Sequence, residues 1–431
     1  MEAEAGSWRH WIADRRLWLM AGFGFAAGLP LPLSGFTLRL WFSESGLSLG
    51  AIGLTAYIGL SYALKFLWAP ALDRVEPPFG LARFGRRRGW LLAIQPPMAL
   101  AVAGMAFCHP ASGAMTIVAL AVCLAFLSAS QDVVIDAWRI ETFETRLQGM
   151  ALAAYVWGYR VALLVSGAQA IRLVNLAGWS GALLAMAALM ALAPLLSLAA
   201  REPEIGTRDG AAAWVRGGGL ANRVIAAVVA PLGEFLARPG APAVLGFVAL
   251  FKLGEAMAAT MAAPFFNALG FDRAAIALAN GEISLLATMA GAALGGVLVA
   301  RLGVGRALIW TAWGQMLSNG TYVLLALSAG NETVLYAAVT VEALTDGMVD
   351  AAFIAYLSGL TSVAFSATQY ALLSSLAAVA SRSVGGLSGF LAAALGWAWF
   401  YALTMLAALP AMLIMVSLLR RFPPDRPAAR S

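Results

Sequence analysis

Apolar residues recur in long stretches separated by short polar breaks from one end of the chain to the other. A helix needs roughly 20 predominantly apolar residues to cross about 30 Å of hydrocarbon, and these stretches are of that length. They fall near 17 to 43, 49 to 72, 90 to 107, 114 to 138, 149 to 172 and 178 to 200. After a polar interval they resume near 241 to 267, 274 to 300, 306 to 328, 332 to 360, 365 to 392 and 397 to 419. The pattern predicts an all-α membrane protein of twelve transmembrane helices, with one six-helix half in 1–200, a linker in 201–240 and a second six-helix half in 241–431. Arg15-Arg16 and Ala26-Ala27-Gly28 loosely imitate a signal peptide with its cleavage site. The apolar run continues through Pro30 and Pro32 to Trp41, however, as a first spanning helix does. Gly22, Gly24 and Gly28 form a small-residue stripe on that helix and the prolines interrupt it. Close packing with a kink, or a bent helix that moves, explains both. Within the linker, Leu220 to Leu236 has the pattern of an amphipathic segment lying on the membrane surface, or of a connecting helix.

Composition excludes a soluble core: 61% of the residues are hydrophobic and only 12% are charged,. The cysteines Cys108 and Cys123 lie in apolar surroundings, and His10 and His109 are far apart, so neither a disulfide framework, a metal site nor a cofactor is expected,. The net charge of +6 is a topology signal rather than a nucleic-acid footprint. Arg39, Lys65, Arg160, Lys252 and Arg382 fall inside spans, and Arg172 and Arg273 fall on one side. The rest of the 28 basic residues fall on the other side, which the positive-inside rule makes cytoplasmic,. Both termini are then cytoplasmic, and the linker lies inside.

The halves echo each other. Asp132-Val-Val-Ile-Asp136-Ala137 is matched by Asp346-Gly-Met-Val-Asp350-Ala351, and Gln148 through Arg160 to Ser166-Gly167 by Gln369 through Arg382 to Ser388-Gly389. Repeated halves in transporters place the substrate near the bilayer midplane. Asp73-Arg74 with Gly85-Arg86-Arg87-Arg88 follows the second span, and Gly296, Arg301, Gly303 and Arg306 follow the eighth. This resembles the Gly-x-x-x-Asp-Arg-x-Gly-Arg-Arg loop of the major facilitator superfamily. Such loops tie helix ends by charge-assisted hydrogen bonds that break when the halves rock, or act as simple positive-inside anchors.

The resemblance becomes specific at further residues. Gly24-Phe-Ala-Ala-Gly-Leu-Pro30, Lys65-Phe-Leu-Trp68-Ala-Pro70-Ala-Leu-Asp73-Arg74, Pro77-Pro78-Phe79, Gly85-Arg-Arg-Arg-Gly-Trp-Leu-Leu92 and Ser128-Ala-Ser-Gln131-Asp132 resemble the AmpG muropeptide permease family of that superfamily. So do Asp136-Ala-Trp138, Gly158-Tyr159-Arg160, Lys252-Leu-Gly-Glu255 and Phe365-Ser-Ala-Thr-Gln369-Tyr-Ala-Leu-Leu-Ser374. The resemblance covers almost the whole chain. It implies import of N-acetylglucosaminyl-anhydromuramyl peptides from periplasm to cytoplasm, driven by the proton gradient, in cell-wall recycling. Some members have two additional C-terminal spans; twelve spans are read here. The family usually shows an Asn-Lys pair where this chain has Asn280-Gly281-Glu282. It keeps a glutamate matched by Glu342, followed by small uncharged residues where Asp346 and Asp350 stand here. More acid and less base would suit a less anionic ligand.

Charged side chains in hydrocarbon cost about 2.5–3.5 kcal/mol on insertion scales, so they face partners or a water-filled cavity. Asp132 and Asp136 share a helical face, and Glu342, Asp346 and Asp350 extend the same spacing over two turns. Ionised together, three such carboxylates repel, so one holds a proton or they pair with Lys252 or Arg382. Lys65, Gln131, Asp132, Arg160, Lys252, Glu255, Glu342 and Arg382 are the candidates for a substrate cavity, with snorkelling or pairing as the other role of the two lysines. Asp346, Asp350 and Glu282 are the candidates for proton coupling, Asp346 first, with a buried ion pair to Arg382 as its competing role. Asp73, Arg74, Arg86, Arg87, Arg88, Asp136, Arg301 and Arg306 are the gating candidates. Trp41, Trp68, Trp138 and Trp157 are packing or interfacial residues, or sugar-stacking platforms.

The expected function is therefore secondary transport across a bacterial inner membrane by a monomer. The expected partners are a small molecule or glycopeptide, a proton and the lipid bilayer. A peptide, a siderophore-like compound or another amphiphile is the alternative cargo, and a non-transporting receptor the alternative class. No Ser/His/Asp arrangement, metal-ligand cluster or phosphate-binding glycine loop suggests an enzyme.

Overall fold

The computed structural model describes residues 14–144, 147–203, 236–237, 240–328, 330–360 and 366–421, with Arg74 and 366–372 described by their backbone alone. The amphipathic segment expected over Leu220 to Leu236 and the family match at Phe365 lie outside these residues, except for Leu236 itself. The described residues are helical with no strand. Nine segments among them are long and apolar enough to cross a membrane by length and composition. One of the nine, Gln148–Ala199, carries Gly178 at φ 68°, a left-handed conformation that favours glycine and breaks the run where two separate spans were expected,. The Val304–Leu327 and Glu332–Leu360 helices have 24 and 29 residues and fall outside the nine. Glu332–Leu360 carries four carboxylates along its length.

Contacts divide the chain into two units, Met1–Leu47 with Leu64–Gly206, and Ser48–Ala63 with Thr207–Ser431. Ser48–Ala63 is grouped with the second unit because its backbone lies directly on the Ser366–Leu395 helix. A Cβ added to Gly389 would stand 1.8 Å from the Leu49 carbonyl oxygen, and one on Gly53 2.8 Å from the Gly389 nitrogen. Tyr57 fixes the same contact by donating from its hydroxyl to the Ser383 carbonyl at 3.2 Å.

In the first unit the chain starts with Arg15–Gly28, capped by the Asp14 carboxylate accepting from the Arg16 N–H at 2.9 Å,. Helical structure resumes as Pro30–Leu33 and Phe36–Glu44, broken at Gly35, so the interruption expected from Pro30 and Pro32 is present,. The stripe also has its partner: a Cβ on Gly24 would stand 2.0 Å from the Tyr155 carbonyl oxygen, and one on Gly158 1.8 Å from that of Ala21. Backbone-to-backbone packing of Arg15–Gly28 on Gln148–Leu163 follows from those absent side chains. Phe23 meets the buried Trp138 edge-on, with ring centroids 5.2 Å apart.

In the second unit the same device joins Ser284–Leu302 to Glu332–Leu360. A Cβ on Gly291 would stand 2.0 Å from the Leu344 carbonyl oxygen, and one on Gly347 2.2 Å from that of Thr288. The core contains two aromatic groups. Phe247, Phe251, Phe353 and Tyr356 pack together, and Phe265, Tyr322, Trp397, Phe400 and Tyr401 form the second group. The helix preceding Lys252 ends at Leu250 and the next begins at Leu253, so Phe251-Lys252 is a break inside an otherwise apolar segment.

Candidate functional site

Polar and charged side chains collect in three places. The first lies at the Arg86–Arg88 end of the first unit. Gly85, at φ 98°, starts the Arg86–Ala106 helix, and Glu202 accepts from the first-turn N–H groups of Arg87 and Arg88 at 2.8 and 3.0 Å,. Arg87 is 4% exposed. It grips Glu141 through two hydrogen bonds, at 2.6 and 3.0 Å, and Asp73 at 2.6 Å,. Arg86 donates to the Asp73 carbonyl at 2.9 Å, and Arg88 to the carbonyls of Ser197 and Leu198 at 3.0 and 2.8 Å. Four chain segments are tied here within one unit. Asp136 stays out of the tie and meets Arg139 at 3.4 Å, while Arg139 donates to Gln148 at 2.9 Å. Arg301 and Arg306 are exposed around Gly303, and the Arg74 side chain lies outside the described residues.

The second place is the middle of Pro110–Thr142. Gln131 is 1% exposed and both of its amide atoms are buried without a hydrogen-bond partner, as are Asp132 Oδ1 and Ser128 Oγ. Lys65, on the short 3-10 turn Lys65–Leu67, is the cation that acts on Asp132, and Tyr155 reaches the same carboxylate with its hydroxyl. Tyr155 and Tyr159 stand 6.0 Å apart by ring centroid, with Arg160 acting electrostatically on Tyr159. Trp68 donates to Ser130 Oγ at 3.0 Å and packs on Phe126, while Trp138 is buried and donates to the Arg201 carbonyl at 2.9 Å. Trp41 stacks on Trp179, and Trp157 is exposed.

The third place is in the second unit, where Lys252, at the Phe251-Lys252 break, meets the acidic stripe. Its ammonium lies 2.9 Å from Glu255 and 3.5 Å from Asp346, and it also pairs with Asp350. Glu342, one turn before Asp346, interacts electrostatically with Asp346 and Lys252. Arg382 is turned elsewhere: its guanidinium packs over Gly59, where a Cβ would stand 2.6 Å from Nε, and faces Tyr62. Asp346 therefore has Lys252 rather than Arg382 as its cation. Glu282 sits on a π-helical turn, Ala279–Ile283, beside the Glu332–Leu360 helix.

Several of these polar residues carried no sequence signal of their own. Glu141 and Glu202 join Arg87 only through tertiary structure, and Glu202 stands at the start of the 201–240 linker. Gln315 and Asn319, beside Lys252, and the tyrosines 155 and 159 each show a four-residue spacing inside an apolar helix, a signal that a search for polar stripes finds.

Charged residues held inside the spans of a helical, multi-pass membrane protein fit a transporter, and the comparisons with known proteins agree,. The fold matches a bacterial homolog of the human lysosomal transporter Spinster, inward-facing and occupied, with TM-score 0.74 at 15% identity over 99% of this chain and 100% of that one. It also matches a D-xylose-proton symporter, with TM-score 0.67 at 15% identity over 94% and 97% of the two chains. The architecture is that of the major facilitator type. No family model matches the sequence. The anhydromuropeptide permease of Escherichia coli K12 is 40% identical over 395 residues, which are 91% of this chain and 77% of that protein. The chain belongs to the AmpG muropeptide permease family. Membership in a permease family makes it a carrier rather than an enzyme.

Proposed function

We propose that this protein imports anhydromuropeptides across the bacterial inner membrane, from periplasm to cytoplasm, by alternating access coupled to protons. The observation that carries the reading is the 40% identity, over nine-tenths of the chain, to a protein named for that cargo. We read twelve spans in two halves, a monomer, and cytoplasmic termini, supported by the arginine distribution along the sequence,. The buried polar atoms of Gln131 and Asp132 beside Lys65 and Tyr155 supply donors and acceptors of the kind a sugar peptide needs,. The Arg87 tie supports a gating role for Asp73, Arg86, Arg87 and Arg88, because a hydrogen-bonded clasp has a discrete broken state.

Binding tests the cargo without requiring transport. A ligand that binds only the folded carrier raises its stability, by about 2.7 kcal/mol at a hundredfold excess over Kd. Purified protein is expected to melt at a higher temperature with anhydromuropeptide than with an equal concentration of free N-acetylglucosamine. Equal melting in the two, at concentrations that saturate the Escherichia coli permease, contradicts the assignment.

A further inference from the structure

In the first unit, the first apolar segment and the helix packed on it lose regular α-helical geometry at the same level. Before that level they are locked together. A Cβ on Gly24 would stand 2.0 Å from the Tyr155 carbonyl oxygen, one on Gly158 1.8 Å from that of Ala21, and one on Gly28 2.7 Å from that of Tyr159. Backbones this close leave no room for one helix to slide past the other. Just beyond Gly28 the first segment is interrupted. Pro30 and Pro32 withhold two backbone donors, and Gly35 leaves helical geometry at φ −123° and ψ −112°,. The Ser34 hydroxyl donates back to the Pro30 and Leu31 carbonyls at 3.0 and 3.3 Å. A Cβ on Gly35 would stand 2.9 Å from the Leu31 carbonyl oxygen, so this turn is built without a side chain there.

The partner helix changes at the matching height. Gln148–Leu163 passes into a π-helical turn, Leu164–Gln169, before α-helix resumes at Ala170. Such turns occur where helices bend and at functional sites. This one contains the Ser166-Gly167 pair. The matching Ser388-Gly389 lies in the unbroken α-helix Ser366–Leu395, so the pair does not by itself cause the turn. The two irregularities touch. Thr37 donates from Oγ1 to the Ser166 carbonyl at 3.1 Å, both residues being buried, and a Cβ on Gly167 would stand 3.8 Å from Pro32 Cβ, an ordinary contact.

Beyond this joint the two chain segments are held together again. Trp41 stacks on Trp179 with ring centroids 5.7 Å apart, and the Trp179 indole donates to Glu44 at 2.8 Å,. Gly178, at φ 68° with no atom within 4 Å of where a Cβ would stand, turns the chain there. The locked end is the end that the Arg87 tie holds. Arg15 donates to the Ala199 carbonyl at 3.3 Å, beside the Ser197 and Leu198 carbonyls that Arg88 holds. A fixed base, a joint made of two irregularities in contact, and a second paired piece are the parts of a hinged arm.

We propose that the Pro30–Gly35 interruption and the Leu164–Gln169 π-turn are one hinge, about which Phe36–Glu44 and residues 170–179 swing together as a gate. The gate lies at the end of the first unit away from the Arg87 tie. The inference rests on the alternating access read above and gives one of its movements a place. Because the Thr37 bond to the Ser166 carbonyl ties the two sides of the joint, straightening one helix changes the bend of the other. In the opposing case both irregularities are fixed features of packing, and nothing turns about them.

Distance distributions between pairs of spin labels test the hinge in the full-length protein in lipid nanodiscs, with Cys108 and Cys123 replaced by serine. Labels at Leu152→Cys and Leu176→Cys, both exposed positions, span the π-turn at about 36 Å for a rise of 1.5 Å per residue,. Leu152→Cys with Leu195→Cys, also exposed and on the locked side, is the reference pair. Without ligand, the first pair is expected to spread over several ångström and the reference pair to stay narrow. Pro30→Ala/Pro32→Ala, which restores two donors in the other helix, is expected to narrow the first pair. A first pair as narrow as the reference, with the prolines in place, overturns the hinge whether or not the proline variant folds. A spread that the folded proline variant leaves unchanged overturns the coupling of the two helices. Added anhydromuropeptide is expected to draw the first pair to one end of its range. If the ligand-free spread is present and that ligand leaves it unmoved, the cargo reading fails and the hinge stands, so the two failures are distinguishable.

Discussion

At the scale of single residues, one spacing has two outcomes. Asp132 and Asp136 carry the same four-residue spacing as Asp346 and Asp350, yet among the described residues the half-exposed Asp136 pairs only with its neighbour Arg139, at 3.4 Å, while Asp350 shares Lys252 with two other acids. Exposed ion pairs of the first kind contribute about 0–1 kcal/mol. Asp136→Asn is therefore expected to leave the melting temperature almost unchanged, and a large fall would show that Asp136 has a further role. Arg87 is the contrasting case, nearly buried and gripping two carboxylates. Arg87→Lys keeps the charge but loses the planar fork that meets Glu141 with two bonds. Its expected cost is about 1.5–3 kcal/mol in a denaturation series, the range for hydrogen bonds to charged groups. A neutral result would remove the clasp as a structural tie.

At the scale of elements, the glycine contacts set how closely helices approach. Gly347→Val puts a branched side chain where even a Cβ would meet the Thr288 carbonyl oxygen at 2.2 Å. Overpacking of this kind costs typically about 1–3 kcal/mol, and here the obstacle is backbone that cannot rotate away. A loss of folded protein on gel filtration, or a lowered melting temperature, is expected; an unaltered protein would mean that Ser284–Leu302 and Glu332–Leu360 pack less closely.

The elements were legible in the sequence to different degrees. Apolar length marked where helices run, because the bilayer fixes that length for any sequence. Pro30 and Pro32 marked the interruption of the first apolar stretch, and the Gly22-Gly24-Gly28 stripe marked a packing face, since absent donors and absent side chains have local consequences. The break at Phe251-Lys252, beside the acids that Lys252 meets, has no proline to announce it. Arg87 was legible as a gate candidate from its loop motif, but Glu141 and Glu202 were not, because their roles arise only when distant segments fold together. Gln315 and Asn319 look like ordinary polar residues in an apolar helix until the cavity that they line beside Lys252 is seen.

At the scale of the whole molecule, the fold, the family and the buried charges converge on a carrier. The major facilitator architecture supplies a frame used for many solutes, so it does not select the cargo. The muropeptide cargo proposed above follows the name of the Escherichia coli relative, 40% identical over nine-tenths of the chain. The most direct measurement is uptake of labelled N-acetylglucosaminyl-anhydromuramyl peptide into liposomes containing the purified protein, with an imposed proton gradient. The account predicts accumulation above the external concentration, abolished when the gradient is collapsed and absent from protein-free liposomes. Equal counts with and without the protein, from a preparation that is folded and inserted, would contradict it.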